Sequence, residues 1–172
     1  MTAALLEEFI KSHHRESFLW ARQCCDFDSQ LAEDVLQQSY LKVLEGKAKF
    51  HEQSSPKTWL FSVIRFTALE WLRKNHKEVP LRSDFDLEEA EHIPETATHE
   101  ELIQRLPDRQ KEILLLVFYH QMTLEKAAAV MEVSLGTART HYDRGKKKLK
   151  ERILDRNRKC GNENTASGKR MD

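Results

Sequence analysis

From residue 4 onward, apolar positions recur every three or four residues, the spacing that lays one stripe along a helix. Residues 4–24 and 30–45 read as amphipathic helices, and a longer one begins at Pro56 and runs to 76. Residues 79–97 lose the period and become rich in proline and acid, which marks a linker. Beyond it, Thr98 and Glu101 stand at capping-box spacing in front of HEELIQRL, and Pro107 opens a helix predicted to reach Tyr119. MTLEKAAAVMEVS then gives a short helix capped by Thr123, with Leu124, Ala127, Ala128, Val130 and Met131 inward. After about three residues a last helix starts at the cap Ser134, whose inward stripe is Leu135, Ala138, Tyr142, Gly145, Leu149 and Ile153. From Asn157 the period ends, and 157–172 is expected to be disordered. The predicted fold class is all-α: two small helical domains, 1–77 and 98–156, joined by a flexible acidic linker, 78–97. The second domain contains a helix-turn-helix.

Charge adds a direction to this layout. The formal net charge is zero, yet residues 134–159 hold ten Lys/Arg against three Asp/Glu, while 78–101 hold one against nine. Such asymmetry suits a nucleic-acid surface set apart by an acidic connector. The outward face of the last helix carries Gly136, Thr140, Asp143, Arg144 and Lys147, flanked by Thr137 and Arg139. In a DNA-binding helix-turn-helix that helix lies in the major groove, where arginines reach guanine acceptors and lysines neutralise phosphates. A helical hairpin with a merely solvated basic face is the plainer alternative.

In the first domain, Ala32, Leu36, Tyr40 and Val43 form the inward stripe of QLAEDVLQQSYLKVLEG, and the opposite face collects Asp34, Gln37, Gln38, Leu41 and Glu45. Leu41 on that wet side is either a stray surface leucine or the centre of a protein-docking patch. A polar loop with Phe50 and His51 precedes a helix bearing Trp59, Phe61, Phe66 and Trp71 among Lys57, Arg65, Arg73 and Lys74. Aromatics interleaved with cations suit single-stranded DNA, although most of these rings also fit a core at helical spacing. Cys24 and Cys25 are adjacent, Cys160 lies in the polar tail and the eight histidines are scattered. That pattern offers neither a disulfide framework nor a metal-ligand set, and no cofactor is expected. With no signal peptide and no apolar run of bilayer length, a cytoplasmic protein without membrane insertion is expected.

Four segments in order, AEDVLQQSYLKVL, SSPKTWLFSVIR, LPDRQKEILLL and MTLEKAAAVMEVSLGTARTHYDRGKKKLKE, resemble the extracytoplasmic-function (ECF) sigma factors of the sigma-70 family over roughly residues 5–155. The resemblance implies a bacterial transcription initiation factor with no catalytic group of its own. It implies that the helix from Ser134 reads a minus-35 promoter element through Arg139, Thr140, Asp143 and Arg144. The surrounding candidates are Thr123, Ser134, Gly136, Thr137 and Lys147. The same resemblance assigns Asp34, Gln37, Gln38 and Leu41 to docking on the β′ clamp helices of core RNA polymerase, with the β flap as a second contact. The loop from Phe50 to Lys57, with His51 and Ser54, is matched to capture of a flipped minus-10 base, backed by Trp59, Arg65, Arg73 and Lys74; extrusion of a base costs a few kcal/mol that such a site must offset. Promoter DNA and an anti-sigma protein complete the implied partners.

Three positions depart from the family pattern. Glu132 occupies a turn position that is often Gly, Lys126 replaces a common acid, and Phe66 stands where Asn is usual. A helix-turn-helix regulator that acts independently of the polymerase core is the alternative reading; it lacks a receiver domain in the first hundred residues. A helical adaptor would leave the basic helix unexplained. The acidic linker between basic segments further suggests autoinhibition, with a fragment from residue 98 onward expected to bind promoter DNA more tightly than the whole chain.

Overall fold

The structure is a computed structural model that describes residues 3–75 and 97–166. The expected linker therefore lies outside the described residues, except for Ala97. Three helices form the first domain: α1 (Ala3–Cys24), α2 (Ser29–Leu44) and α3 (Pro56–Asn75). Asp28 caps α2 by accepting from the Leu31 amide at 3.0 Å, which satisfies one of the orphan donors of its first turn. The three helices enclose Trp20, Val35, Leu36, Leu60, Phe61 and Ile64. The Trp20 indole N–H donates to the Phe61 carbonyl at 3.0 Å, so the largest core side chain also meets its polar need. Burying each of these large apolar side chains stabilises the domain by about 1.5–3 kcal/mol.

The second domain comprises α4 (His99–Gln104), α5 (Asp108–Leu114), a π turn (Leu115–Tyr119), α6 (Leu124–Met131) and α7 (Leu135–Ala166). Both halves of the Thr98–Glu101 capping box form. Thr123 caps α6 by accepting from Lys126 N–H, and Ser134 accepts from Thr137 N–H at 3.1 Å. With Lys126 at the third position, the α6 cap is one-sided. The helix expected through Tyr119 widens into the π turn, in which the His120 amide reaches back to the Leu115 carbonyl. That widening turns Phe118 and Tyr119 outward while His120 is buried.

α7 continues to Ala166 rather than ending at 156, which differs from the disorder expected over 157–166, and residues 167–172 of the expected tail lie outside the described residues. Ten residues of 157–166 thus join the helix. No proline interrupts them, and Arg156 on the preceding turn is tied to the Ala97 carbonyl at 2.9 Å. His141 was not expected in the core, yet it is buried between Ala138 and Gly145 on the same stripe. Gly145 packs closely on α5: a Cβ there would lie 3.2 Å from Gln110 Cβ and 3.2 Å from Leu114 Cδ1, tighter than an ordinary contact.

Glu132 resolves the first departure from the family pattern. It adopts φ 55° and ψ 42°, the left-handed conformation. Its amide bonds to the Ala129 carbonyl and that of Val133 to the Ala128 carbonyl, the pair of bonds of a Schellman ending. A non-glycine residue there is strained by roughly 1–2 kcal/mol. Glu132→Gly is expected to raise stability by about 0.5–1 kcal/mol after the added flexibility of the unfolded chain is counted. Urea unfolding checks this, and a loss of stability would show that the Glu132 side chain contributes more than its backbone costs.

The two domains pack on each other, with α6 against α3. At their boundary the His120 ring stands edge-on to Trp20 and Phe61, with centroids 5.6 Å and 4.9 Å away, and its Nε2 lies 2.7 Å from the Gln23 side-chain oxygen.

Candidate nucleic-acid and polymerase interfaces

The turn fixed by Glu132 aims α7 away from α6 and leaves one long face of it open. Gly136, Thr137, Arg139, Thr140, Asp143, Arg144 and Lys147 are all exposed along that face, as are the caps Thr123 and Ser134. The start of the face is small, so a polar surface can approach the backbone closely; two turns later it is cationic. Thr140 returns its hydroxyl to the Gly136 carbonyl at 3.1 Å, and Asp143 lies 3.9 Å from Lys146.

On the opposite domain, Asp34, Gln37, Gln38 and Leu41 share the outer face of α2, and Leu41 keeps 49% of its surface exposed. Leu44 continues the apolar part of that face at 57%. An acidic and amide-bearing rim around exposed leucines has the composition of a protein-docking patch.

The loop before α3 is held from within. Phe50 packs on Trp59 with centroids 5.3 Å apart, and the Ser55 hydroxyl accepts from the Thr58 amide, capping α3. His51 remains exposed and Ser54 half-buried. Arg73 and Lys74 are exposed, and Lys74 pairs with Glu70 at 2.9 Å. Hydrogen bonds from Lys42 and Lys74 hold the Glu70 carboxyl down at about 2. Lys57 is half-buried and paired with Glu16 at 2.8 Å. Phe66, where the family usually has Asn, is exposed with Lys42 Nζ 5.8 Å from its ring.

Arg65 stands apart from the others. Its Nε and Nη2 donate to the two carboxylate oxygens of Glu112 at 3.0 and 3.2 Å, and only 6% of the residue is exposed. In this arrangement it faces the second domain rather than the Phe50–Lys57 loop. A second bridge crosses the same boundary, from Lys111 to Asp26 at 2.8 Å. Burial pulls the Lys111 ammonium down, but Asp26 and Asp108 more than offset it and leave it above its ordinary value. Sequence reasoning missed Glu112, Lys111, Asp26, Gln23 and His120, because no local pattern marks a contact across a domain boundary.

The Sigma-70 region 2 family profile matches residues 9–78, and that of Sigma-70, region 4 matches residues 100–149. The RNA polymerase sigma factors YlaC and SigV of Bacillus subtilis are 25% and 28% identical to the chain. They align over 86% and 87% of it, and over 91% of each relative. The chain is an ECF sigma factor of the sigma-70 family. Its function is that of an RNA polymerase sigma factor, a regulator of transcription initiation. The polymerase-independent regulator is therefore not favoured. The fold agrees with that of the sigma factor RpoE of Bartonella quintana, solved with the anti-sigma factor NepR, at TM-score 0.68 and 18% identity over 86% of this chain and 96% of that one. It also agrees with CnrH, solved with the cytosolic domain of CnrY, at TM-score 0.64 and 16% identity over 90% of each chain. No helix among the described residues is long and apolar enough to cross a membrane.

The boundary of this sigma factor carries a pH dependence. Burial, and next Lys57, lower the His120 pKa from 6.5 to about 4, with Glu16 acting the opposite way. The packed arrangement thus binds fewer protons than a separated one. The contribution of His120 to packing is complete above 6.5 and is lost as pH falls from there toward about 4. Small-angle scattering should show the radius of gyration rising across that window with helicity retained. An unchanged radius would mean that His120 does not restrain the domains.

Proposed function

We propose that this ECF sigma factor docks on the β′ clamp helices of core RNA polymerase through Asp34, Gln37, Gln38 and Leu41, and on the β flap through its second domain. It reads a minus-35 element with α7, where Arg139, Thr140, Asp143 and Arg144 reach bases or backbone and Thr123, Ser134, Gly136, Thr137 and Lys147 border them. Phe50, His51, Ser54, Lys57 and Trp59 capture a flipped minus-10 base, with Arg65, Arg73 and Lys74 following the phosphates. An anti-sigma protein restrains it, a reading supported by the RpoE neighbour, which was solved with the anti-sigma factor NepR. It acts in the cytoplasm, and the nucleotide chemistry belongs to the polymerase.

The observation that carries this reading is the uninterrupted exposed face of α7, small at its N-terminus and cationic beyond, on the second helix of a helix-turn-helix. Permanganate footprinting of a genomic promoter fragment with core polymerase and this chain tests it. Unpaired thymines should appear in the minus-10 region only when both proteins are present, with protection upstream at minus-35. Protection without any unpaired thymine would remove the strand-opening assignment.

A further inference from the structure

The core leaves one stripe of α3 wholly or partly in solvent. Trp59, Ser62, Phe66, Leu69 and Arg73 follow one another at three- and four-residue steps and so share one side of the helix. The stripe begins where the Phe50 and Trp59 rings pack together and ends at the exposed Arg73. Between these ends Phe66 keeps 58% of its surface exposed and Leu69 43%. Phe66 lies seven residues beyond Trp59, about 10 Å along the axis and on nearly the same line. A strand held at the Phe50–Lys57 loop and running along α3 therefore meets this ring next.

The ring is held from behind. Lys42 Nζ stands 5.8 Å from its centroid, and Lys42 in turn donates to the Thr67 hydroxyl at 3.3 Å and to the Glu70 carboxylate. Glu70 also takes Lys74, so two lysines share one carboxylate beside the ring. Arg73 is in no ion pair among the described residues, which leaves the surroundings of Phe66 net cationic. A single exposed apolar side chain is ordinary on a protein surface. This one lies in line with the rings of the loop and within a cationic border, the composition of a track for single-stranded DNA; the centre of a protein-docking patch is instead depleted of charge. Phenylalanine also lacks a donor or acceptor, whereas the Asn usual at this position can hydrogen-bond a base edge.

We propose that Phe66 is a stacking platform for the unpaired base adjoining the one captured by the Phe50–Lys57 loop, with Arg73 on the neighbouring phosphate. This rests on the strand-opening role proposed for the loop and adds a specificity-determining residue to it. Every base has a face that can stack, so a phenyl ring accepts any of them. At the promoter position that meets Phe66, this chain therefore gains affinity without selecting a base. An amide side chain at the same place would select one by its hydrogen bonds.

The test uses the full-length chain with core polymerase. The probe is a promoter fragment located by run-off transcription, kept duplex upstream and made single-stranded and randomised across its minus-10 element. Bound strands are sequenced and affinities measured for the wild type and for Phe66→Leu, Phe66→Tyr and Phe66→Asn. Phe66→Leu should weaken binding about fivefold or more, and Phe66→Tyr, which keeps the ring, should bind like the wild type. The wild type should show little base preference at the position beside the captured base, and Phe66→Asn should create a preference at that position alone. Because the side chain is largely exposed, circular dichroism of the free variants should not change. If Phe66→Leu nevertheless fails to fold, the base preferences of Phe66→Asn decide the matter. Wild-type affinity in Phe66→Leu, equal weakening in Phe66→Tyr, or unaltered base preferences in Phe66→Asn would overturn the stacking role. So would a loss of affinity for core polymerase in Phe66→Leu, which would place the ring in a protein contact. A wild-type chain that directs polymerase to no promoter would remove the sigma-factor reading itself, and the stacking role with it.

Discussion

Replacing Arg139 and Arg144 together by alanine should lower promoter-specific transcription by about 30-fold to 10 000-fold and leave association with core polymerase intact. Both side chains are exposed on α7 and no part of the core depends on them, so the change removes contacts to DNA without a folding penalty. Alanine is if anything the better helix former. A bidentate arginine contact to guanine is worth about 1–3 kcal/mol, and the two losses add if the contacts are independent. The measurement is run-off transcription from one promoter beside a polymerase-binding titration. A double variant that also loses polymerase binding would contradict the division of labour between the domains.

The second large effect lies on the other domain. Asp34→Arg combined with Leu41→Glu should reduce affinity for core polymerase by about 100-fold or more, because a reversed charge and a buried carboxylate at the centre of an interface each carry a penalty of several kcal/mol. The two residues are seven apart on α2, hence two turns along one face. Because both are exposed, each change should alter stability by less than about 0.5 kcal/mol. Circular dichroism and thermal unfolding of the free variant check that part. A melted variant would show that the face is packed within the protein, and unchanged polymerase affinity would return Leu41 to the status of a stray surface leucine.

Much of this architecture was legible because its signals are local. The caps Thr98, Thr123 and Ser134 each satisfy an amide three residues away, and each formed as their spacing predicted. At Glu132 the resemblance marked only a position that is often Gly, which left a strained turn and an altered turn both open; the left-handed backbone there decides for the strained one. The domain boundary was not visible, and the reason is separation along the chain. Arg65 and Glu112 are 47 residues apart, Asp26 and Lys111 are 85 apart, and Gln23 and His120 are 97 apart. With 28 basic and 28 acidic side chains in the sequence, complementary pairs abound and nothing local selects the ones that meet. The cationic track read from Lys57, Arg65, Arg73 and Lys74 shows the same limit, since helical spacing alone does not tell that Arg65 turns toward α5. The end of α7 was misjudged for a different reason: loss of the apolar period ends a packed face, but a helix already nucleated can continue past it.

Reconstituted run-off transcription tests the central claim most directly. Core polymerase, this chain and genomic DNA fragments should together yield discrete transcripts from a small set of promoters that share minus-35 and minus-10 elements, and neither protein should do so alone. Transcripts identical to those of core polymerase by itself would contradict the assignment of this chain as the promoter-selecting subunit.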